Sequence, residues 1–383
     1  MDIRILTAFS TAVIVGLLLV PLICIAARRY GLVDRPTKRK QHQGEIPLVG
    51  GSVIMLTLAL IQVIYDLPLP DAVFWVPATC VFLTAMIDDI APVRARYRLV
   101  LQLAAGVFVA VFSASWMQDV ALAIGAPVWA APLIGIPLTA LFMAATINAV
   151  NFLDGADGMA AGVSLVAIGW FAIASLLLGQ DTPTAGDPWM LKMLAVIGGA
   201  VVAFLFYNMR APWRRHASIF LGDNGSYLLG FVLAWVTLRV AHGHDGVGLP
   251  LVCCAWILGV PAVDLFSVTT RRLVYGEAAT TPDRRHLHHL LLAKGVSPTW
   301  VTPAAMLLAL LSGAIGVGCW SFGVSATVMW AGFIAVAAGY WVCWHPPQPQ
   351  PSSGSLPVKA VPQLSQRRPR PSNFQTPPGE SAS

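Results

Sequence analysis

Charge is what this sequence has least of. Asp, Glu, Lys and Arg make up 11% of the 383 residues while 57% are apolar, against roughly 25% charged residues in an ordinary soluble domain. A water-soluble globule needs a charged shell, and 24 basic plus 18 acidic side chains, most of them crowded into short stretches, cannot supply one. The lipid bilayer is the implied solvent. The same hydrophobicity excludes disorder for the main body. Patterned cysteine is also lacking: Cys24, Cys80, Cys253, Cys254, Cys319 and Cys343 lie in or beside apolar runs with no CxxC spacing. That excludes a disulfide framework and a cysteine zinc site. The net charge of +6 is not interleaved with polar and aromatic residues as a nucleic-acid surface requires, so no nucleic-acid partner is expected.

What is present is apolar length. About 20 residues of helix cross roughly 30 Å of hydrocarbon, and eleven runs fit: 5–27, 46–65, 72–87, 99–113, 129–147, 159–178, 190–209, 219–240, 249–270, 301–320 and 324–344. The expected fold is all-α, a polytopic transmembrane helix bundle of about 11 spans within residues 1–345. The third and fourth runs are short and need tilt or residues from adjoining loops. Segments after the odd-numbered runs hold 6, 3, 0, 3, 5 and 4 Lys or Arg, and those after the even-numbered runs hold none. Positive charge stays on the cytoplasmic side. The N-terminus is therefore expected outside, the C-terminus in the cytoplasm, and the first run is a signal anchor. Residues 346–383, rich in Pro, Ser and Arg, read as a disordered cytoplasmic tail.

The remaining polar residues cluster at cytoplasmic helix ends. In TAMIDDIAPVRARYRL, Asp88 and Asp89 close the third run and Arg94, Arg96 and Arg98 follow. Two adjacent carboxylates at an apolar rim require a compensating cation. In INAVNFLDGADGMAAG, Asn148, Asn151 and Asp154 recur at spacing three, one face of a helix if the fifth run continues through them. Asp157 follows, and no Lys or Arg lies in this connection. A divalent cation with oxygen ligands, magnesium or manganese, resolves that imbalance; Asp154 as a helix N-cap is the structural alternative. In IFLGDNGSYLLGF, Asp223 sits in a Gly-rich helix start that offers a metal ligand and free N–H groups for phosphate. In TTPDRRHLHHLLLAKG, Arg284, Arg285, His286, His288 and His289 point to phosphate binding or proton handling. Zinc is disfavoured because His286 and His289 would share one helical face. In LVDRPTKRKQHQGEIPLVGG, Lys40 and His42 belong to a basic cluster that either sets topology or holds polyphosphate. Hard-cation ligands, phosphate-binding groups and lipid-facing grooves on one side suit phosphoryl transfer from a soluble nucleotide to a membrane acceptor. A cation-coupled transporter would carry its carboxylates near the midplane, where Asp264 alone stands.

The DD, NxxNxxDGxDG, GDxGS and HxHH motifs, in this order, resemble the polyprenyl-phosphate N-acetylhexosamine-1-phosphate transferases, over about residues 28–300. DRRHLHH is most similar to the bacterial branch that makes undecaprenyl-diphosphate-GlcNAc. The resemblance implies transfer of GlcNAc-1-phosphate from UDP-GlcNAc to undecaprenyl phosphate with release of UMP, dependent on Mg²⁺ or Mn²⁺. It implies a bacterial inner membrane enzyme with its site on the cytoplasmic face, starting an envelope glycan such as O-antigen. Other UDP-N-acetylhexosamines or the MurNAc-pentapeptide donor, and a homodimer, stay open. By resemblance Asp223 is a metal ligand with Asn151 beside it. Asp88, Asp89, Asp154, Asp157, His286, His288 and His289 are catalytic, and Arg98, with Asn148 and Asn151 of the second motif, binds substrate; the basic residues Arg284, Arg285, Lys40 and His42, read from their own charge, are expected to bind substrate phosphates as well.

Overall fold

The computed structural model describes residues 3–35, 44–65, 72–113, 117–123, 125–181, 188–210, 214, 216–243, 248–276 and 285–343. Lys40, His42, Arg284 and the tail at 346–383 lie outside them. Among the described residues the regular elements are helices apart from one small antiparallel pair, β1 (Val33–Asp34) and β2 (Ile46–Pro47). The helices are α1 (Ile3–Tyr30), α2 (Gly50–Ile64), α3 (Ala72–Ile90), α4 (Ala95–Ser113), α5 (Gln118–Ala123), α6 (Ala131–Leu153) and α7 (Met159–Asp181). They continue as α8 (Pro188–Asn208), α9 (Gly222–His242), α10 (Leu251–Ile257), α11 (Gly259–Val274), α12 (Leu287–Ala293), α13 (Pro298–Ser321) and α14 (Ala326–Cys343). Among the described residues nine helices are long and apolar enough to cross a membrane. All six cysteines are free thiols.

Each of the eleven expected runs falls on helix, with two departures. The second run gives only the 15 residues of α2, about 22 Å of helix. Its first residues are extended instead: β2 pairs with β1, and Leu48 bridges to Phe220. The ninth run is two helices, α10 and α11, bent by 85° around Leu258. Pro261 explains the break, because it has no N–H for the Ile257 carbonyl and its ring collides with that group. Trp256 O, at the same break, accepts from Ser312 Oγ of α13 at 2.5 Å. The third and fourth runs lengthen into their loops, so that α3 carries Asp88 and Asp89 inside its last turn.

α9 is the axis of the bundle. Of its apolar window 83% is buried, against 11% for α14 on the periphery. Small residues let its neighbours close in, which is how helices pack when lipid removes the hydrophobic drive between them. A Cβ on Gly230 would stand 2.5 Å from Ile147 Cα of α6, and one on Gly51 2.5 Å from Gly225 N. Backbone bonds reinforce the second contact, since Gly50 N–H and Gly51 N–H donate to Phe220 O and Leu221 O at 3.0 and 3.2 Å. The PLVGG segment therefore fixes where α9 begins.

Candidate active site

Three helix ends meet at that point. α3 ends with Asp88 and Asp89, α6 runs through Asn151 with Asp154 as its C-cap, and α9 starts with Gly222 and Asp223. Asp89 joins two of them. Its Oδ1 accepts from Asp223 N–H at 2.9 Å, and its Oδ2 from Asn224 N–H at 3.1 Å and Asn224 Nδ2 at 2.6 Å. A helix start leaves such N–H groups without partners and carries partial positive charge, so a carboxylate on one helix caps another. Gly222 makes the entry at φ +75°, where a side chain would also stand 2.9 Å from Asp89 Oδ2.

Asp88 accepts from Val93 N–H at 2.6 Å and from Arg98. The same guanidinium stands 3.7 Å from Asp223 Oδ2 and so bridges both carboxylates. Asn151 Nδ2 donates to Asp223 Oδ1 at 3.0 Å and to Ser226 Oγ at 2.9 Å, which leaves only its Oδ1 for a cation. Asp154 opens to the cleft. Partial desolvation at the mouth of the cleft, then the negative charges of Asp223, Asp89 and Asp157, raise its carboxyl above the usual carboxylate range. The cluster thus resists full ionisation until opposite charge is supplied.

Beside the cluster, His288 is buried over Gly155, where a Cβ would meet the ring at 2.1 Å. Burial, then His289 and His286, lower its imidazole to about 3, so it is neutral at physiological pH. Its Nδ1 has no hydrogen-bond partner among the described residues. His289 packs on His288 with ring centroids 4.0 Å apart. His286 stands in extended conformation as the N-cap of α12. It therefore does not share a helical face with His289 as the sequence pattern suggests; Arg285 precedes it.

An apolar cavity of about 580 Å³ lies between α6, α9, α10, α11 and α14, lined by Phe142, Ala145, Ala149, Leu265, Phe266 and Trp330 among others. The α6 wall continues one turn to Phe152. Arg272 lies over that ring at 6.0 Å, and His286 is 5.0 Å from it. The apolar space thus leads toward the basic and histidine-bearing end of the molecule.

The structure therefore brings together Asp88, Asp89, Arg98, Asn151, Asp154 and Asp223, with His288 alongside. Two residues expected in the site also make contacts beside it. Asn148 Nδ2 donates to Gln102 Oε1 at 2.6 Å and to Ala144 O at 2.7 Å, a contact between α4 and α6. Asp157 accepts from Arg210 Nε at 2.7 Å, while its carbonyl accepts from Thr302. Asp154 closes α6 rather than starting α7, which removes the N-cap alternative. The sequence gives no sign of Asn224, which fills the variable position of GDxGS, and Arg210 reads there only as topological charge. Among the described residues no three His, Cys, Asp or Glu side chains converge as a ready metal site. The oxygen donors still suit a hard cation that completes its shell with water and phosphate oxygens, as magnesium does.

Residues 72–241, which hold Asp88, Asp89, Asn151, Asp154, Asp157 and Asp223, match glycosyl transferase family 4. Fold, site and this match define a polytopic membrane enzyme of the phospho-sugar transferase class. The undecaprenyl-phosphate alpha-N-acetylglucosaminyl 1-phosphate transferase of Escherichia coli (strain K12) is 32% identical over 293 residues, 76% of this chain and 77% of that one. Enzymes of the same name from Yersinia pestis and Salmonella typhi are 31% and 30% identical, over 76% and 82% of this chain and 78% and 84% of theirs. The chain belongs to this family of polyprenyl-phosphate N-acetylhexosamine-1-phosphate transferases.

Proposed function

We propose that the protein transfers GlcNAc-1-phosphate from UDP-GlcNAc to undecaprenyl phosphate, releasing UMP, as the first step of a bacterial envelope glycan such as O-antigen. The observation that carries this is the meeting of carboxylate, amide and guanidinium groups at the ends of α3, α6 and α9, next to an apolar cavity. One reaction there serves a charged nucleotide and an isoprenoid. Among the described residues nine helices are long enough to cross and the bent α10–α11 pair makes a tenth; counting the shorter α2 as a crossing too, the reading is eleven. With the basic segments inside, the N-terminus is outside, the site faces the cytoplasm, and the membrane is the inner one.

The lipid monophosphate, whose second pKa is near 6, is largely dianionic at pH 7. One of its oxygens attacks the β-phosphorus in line. The new P–O bond forms as the bond from that phosphorus to the oxygen shared with the α-phosphate breaks, and UMP leaves. Asp223, with Asn151 Oδ1, would hold magnesium or manganese, which would neutralise charge on the diphosphate and the departing UMP. Arg98 adds a fixed positive charge between the two carboxylates. His288 offers an uncharged imidazole and Asp154 its carboxyl on the nucleotide side. Direct displacement is the reading supported by these contacts, since Asp89 is engaged by three N–H donors and Asp88 by Arg98.

Purified protein given undecaprenyl phosphate, magnesium and labelled UDP-GlcNAc should yield UMP and a lipid-linked sugar. No product with this donor, but turnover of another UDP-N-acetylhexosamine, would refute the assigned sugar. The isoprenoid occupies the apolar cavity, where Ala145→Trp would fill space. That substitution should raise the acceptor KM about tenfold, matching an overpacking cost of about 1–2 kcal/mol. The donor KM should not change.

A further inference from the structure

Asp264 is a buried carboxylate on α11, six residues past the break, and 2% exposed. The transfer chemistry above does not use it, yet it gathers donors from two other elements. Its Oδ2 accepts from His286 Nδ1 at 2.8 Å, which places the proton of that ring on Nδ1. Its Oδ1 accepts from Leu287 N–H, the first of α12, at 2.8 Å, and from Tyr340 OH of α14 at 3.1 Å. Tyr340 thus ties the otherwise peripheral α14 to the same point. The planes of His286 and His288 are parallel within 1° with centroids 6.2 Å apart, and His288 lies on Gly155, next to Asp154. Fixing His286 therefore fixes where His288 meets the Asp154–Asp157 turn.

We propose that Asp264 is a positioning residue of the transferase. Acting through His286 and assisted by Tyr340, it latches the HLHH segment onto α11 and holds His288 against the nucleotide side of the site. This deepens the transferase reading and rests on it. A carboxylate is suited to the task because one group accepts a ring N–H, a backbone N–H and a hydroxyl at once. An amide could meet only part of that set.

The test combines steady-state kinetics of Asp264→Asn, His286→Gln, the double variant and Tyr340→Phe with hydrogen–deuterium exchange of the peptide covering 285–293. Asp264→Asn should lower kcat/KM for UDP-GlcNAc about 10- to 100-fold, the range of a lost hydrogen bond to a charged group. The acceptor KM should stay unchanged. His286→Gln should act similarly, and the double variant should be no worse than the more severe single one, because both remove one coupling. Tyr340→Phe should cost about threefold. Exchange at 285–293 should quicken in Asp264→Asn and Tyr340→Phe, with α9 unaltered. Multiplying losses in the double variant, an unchanged donor KM and kcat, or unchanged exchange would overturn the latch. If Asp264→Asn does not fold, Tyr340→Phe and His286→Gln decide by the same criteria. A wild-type protein that turns over no UDP-sugar would refute the transferase reading instead, and the exchange experiment would still report on the latch.

Discussion

Asp223→Asn should reduce kcat at least about 100-fold, on the order of 3 kcal/mol of transition-state stabilisation, while the protein stays folded. The separation follows from how the residue is held. Its backbone N–H is capped by Asp89, and an asparagine keeps an Oδ1 to accept from Asn151. The substitution therefore leaves the junction of α3, α6 and α9 intact. What it removes is one negative charge at the place where a cation and a diphosphate would meet, and with Oδ1 kept on Asn151 the amide Nδ2 replaces the oxygen that Arg98 approaches at 3.7 Å, so that ion pair is lost. Unfolding midpoints in detergent together with turnover rates check both halves. Near-normal turnover would remove Asp223 from the role of metal ligand.

Asp89→Asn should behave differently, losing stability and activity together. All three partners of this carboxylate are N–H donors, two on backbone and one on Asn224. Whichever way an amide is turned, its NH₂ faces at least one of them. Loss of a cap costs about 1–2 kcal/mol, and a buried donor left without a partner about 1–3 kcal/mol more. The start of α9 should loosen, carrying Asp223 out of place, so that the unfolding midpoint drops and turnover falls at least about tenfold. Asp89→Glu should not rescue it, because the longer arm overshoots N–H groups set by the Gly222 turn. Turnover abolished with an unshifted midpoint would mean that Asp89 reacts rather than caps.

Much of this architecture can be read from residues, because the bilayer demands long apolar runs and the chain supplies them. The positions of Asp88, Asp89, Asn151, Asp154 and Asp223 at run ends are likewise visible in the sequence. Their division of labour is not. Asp88 and Asp89 are chemically identical neighbours, yet one meets Arg98 and the other meets an incoming helix, a distinction made by the 134 residues that separate Asp89 from its partner. Asn148 and Asp157 fit the motif spacing as well as Asn151 does. The contacts they make instead, with Gln102 and Arg210, come from residues far away in the chain. The break in the ninth run was signalled by Pro261 but hidden by the apolar stretch around it. Asp264 stands alone in that stretch, and nothing near it in sequence announces His286 and Tyr340.

The central claim is that a hard cation, held by acidic and amide oxygens at the ends of α3, α6 and α9, makes the transfer possible. It is tested most directly by following UMP release from UDP-GlcNAc with undecaprenyl phosphate before and after chelation. Turnover should fall at least about 100-fold in excess EDTA and return with Mg²⁺ or Mn²⁺. Undiminished turnover in the chelator would contradict the account.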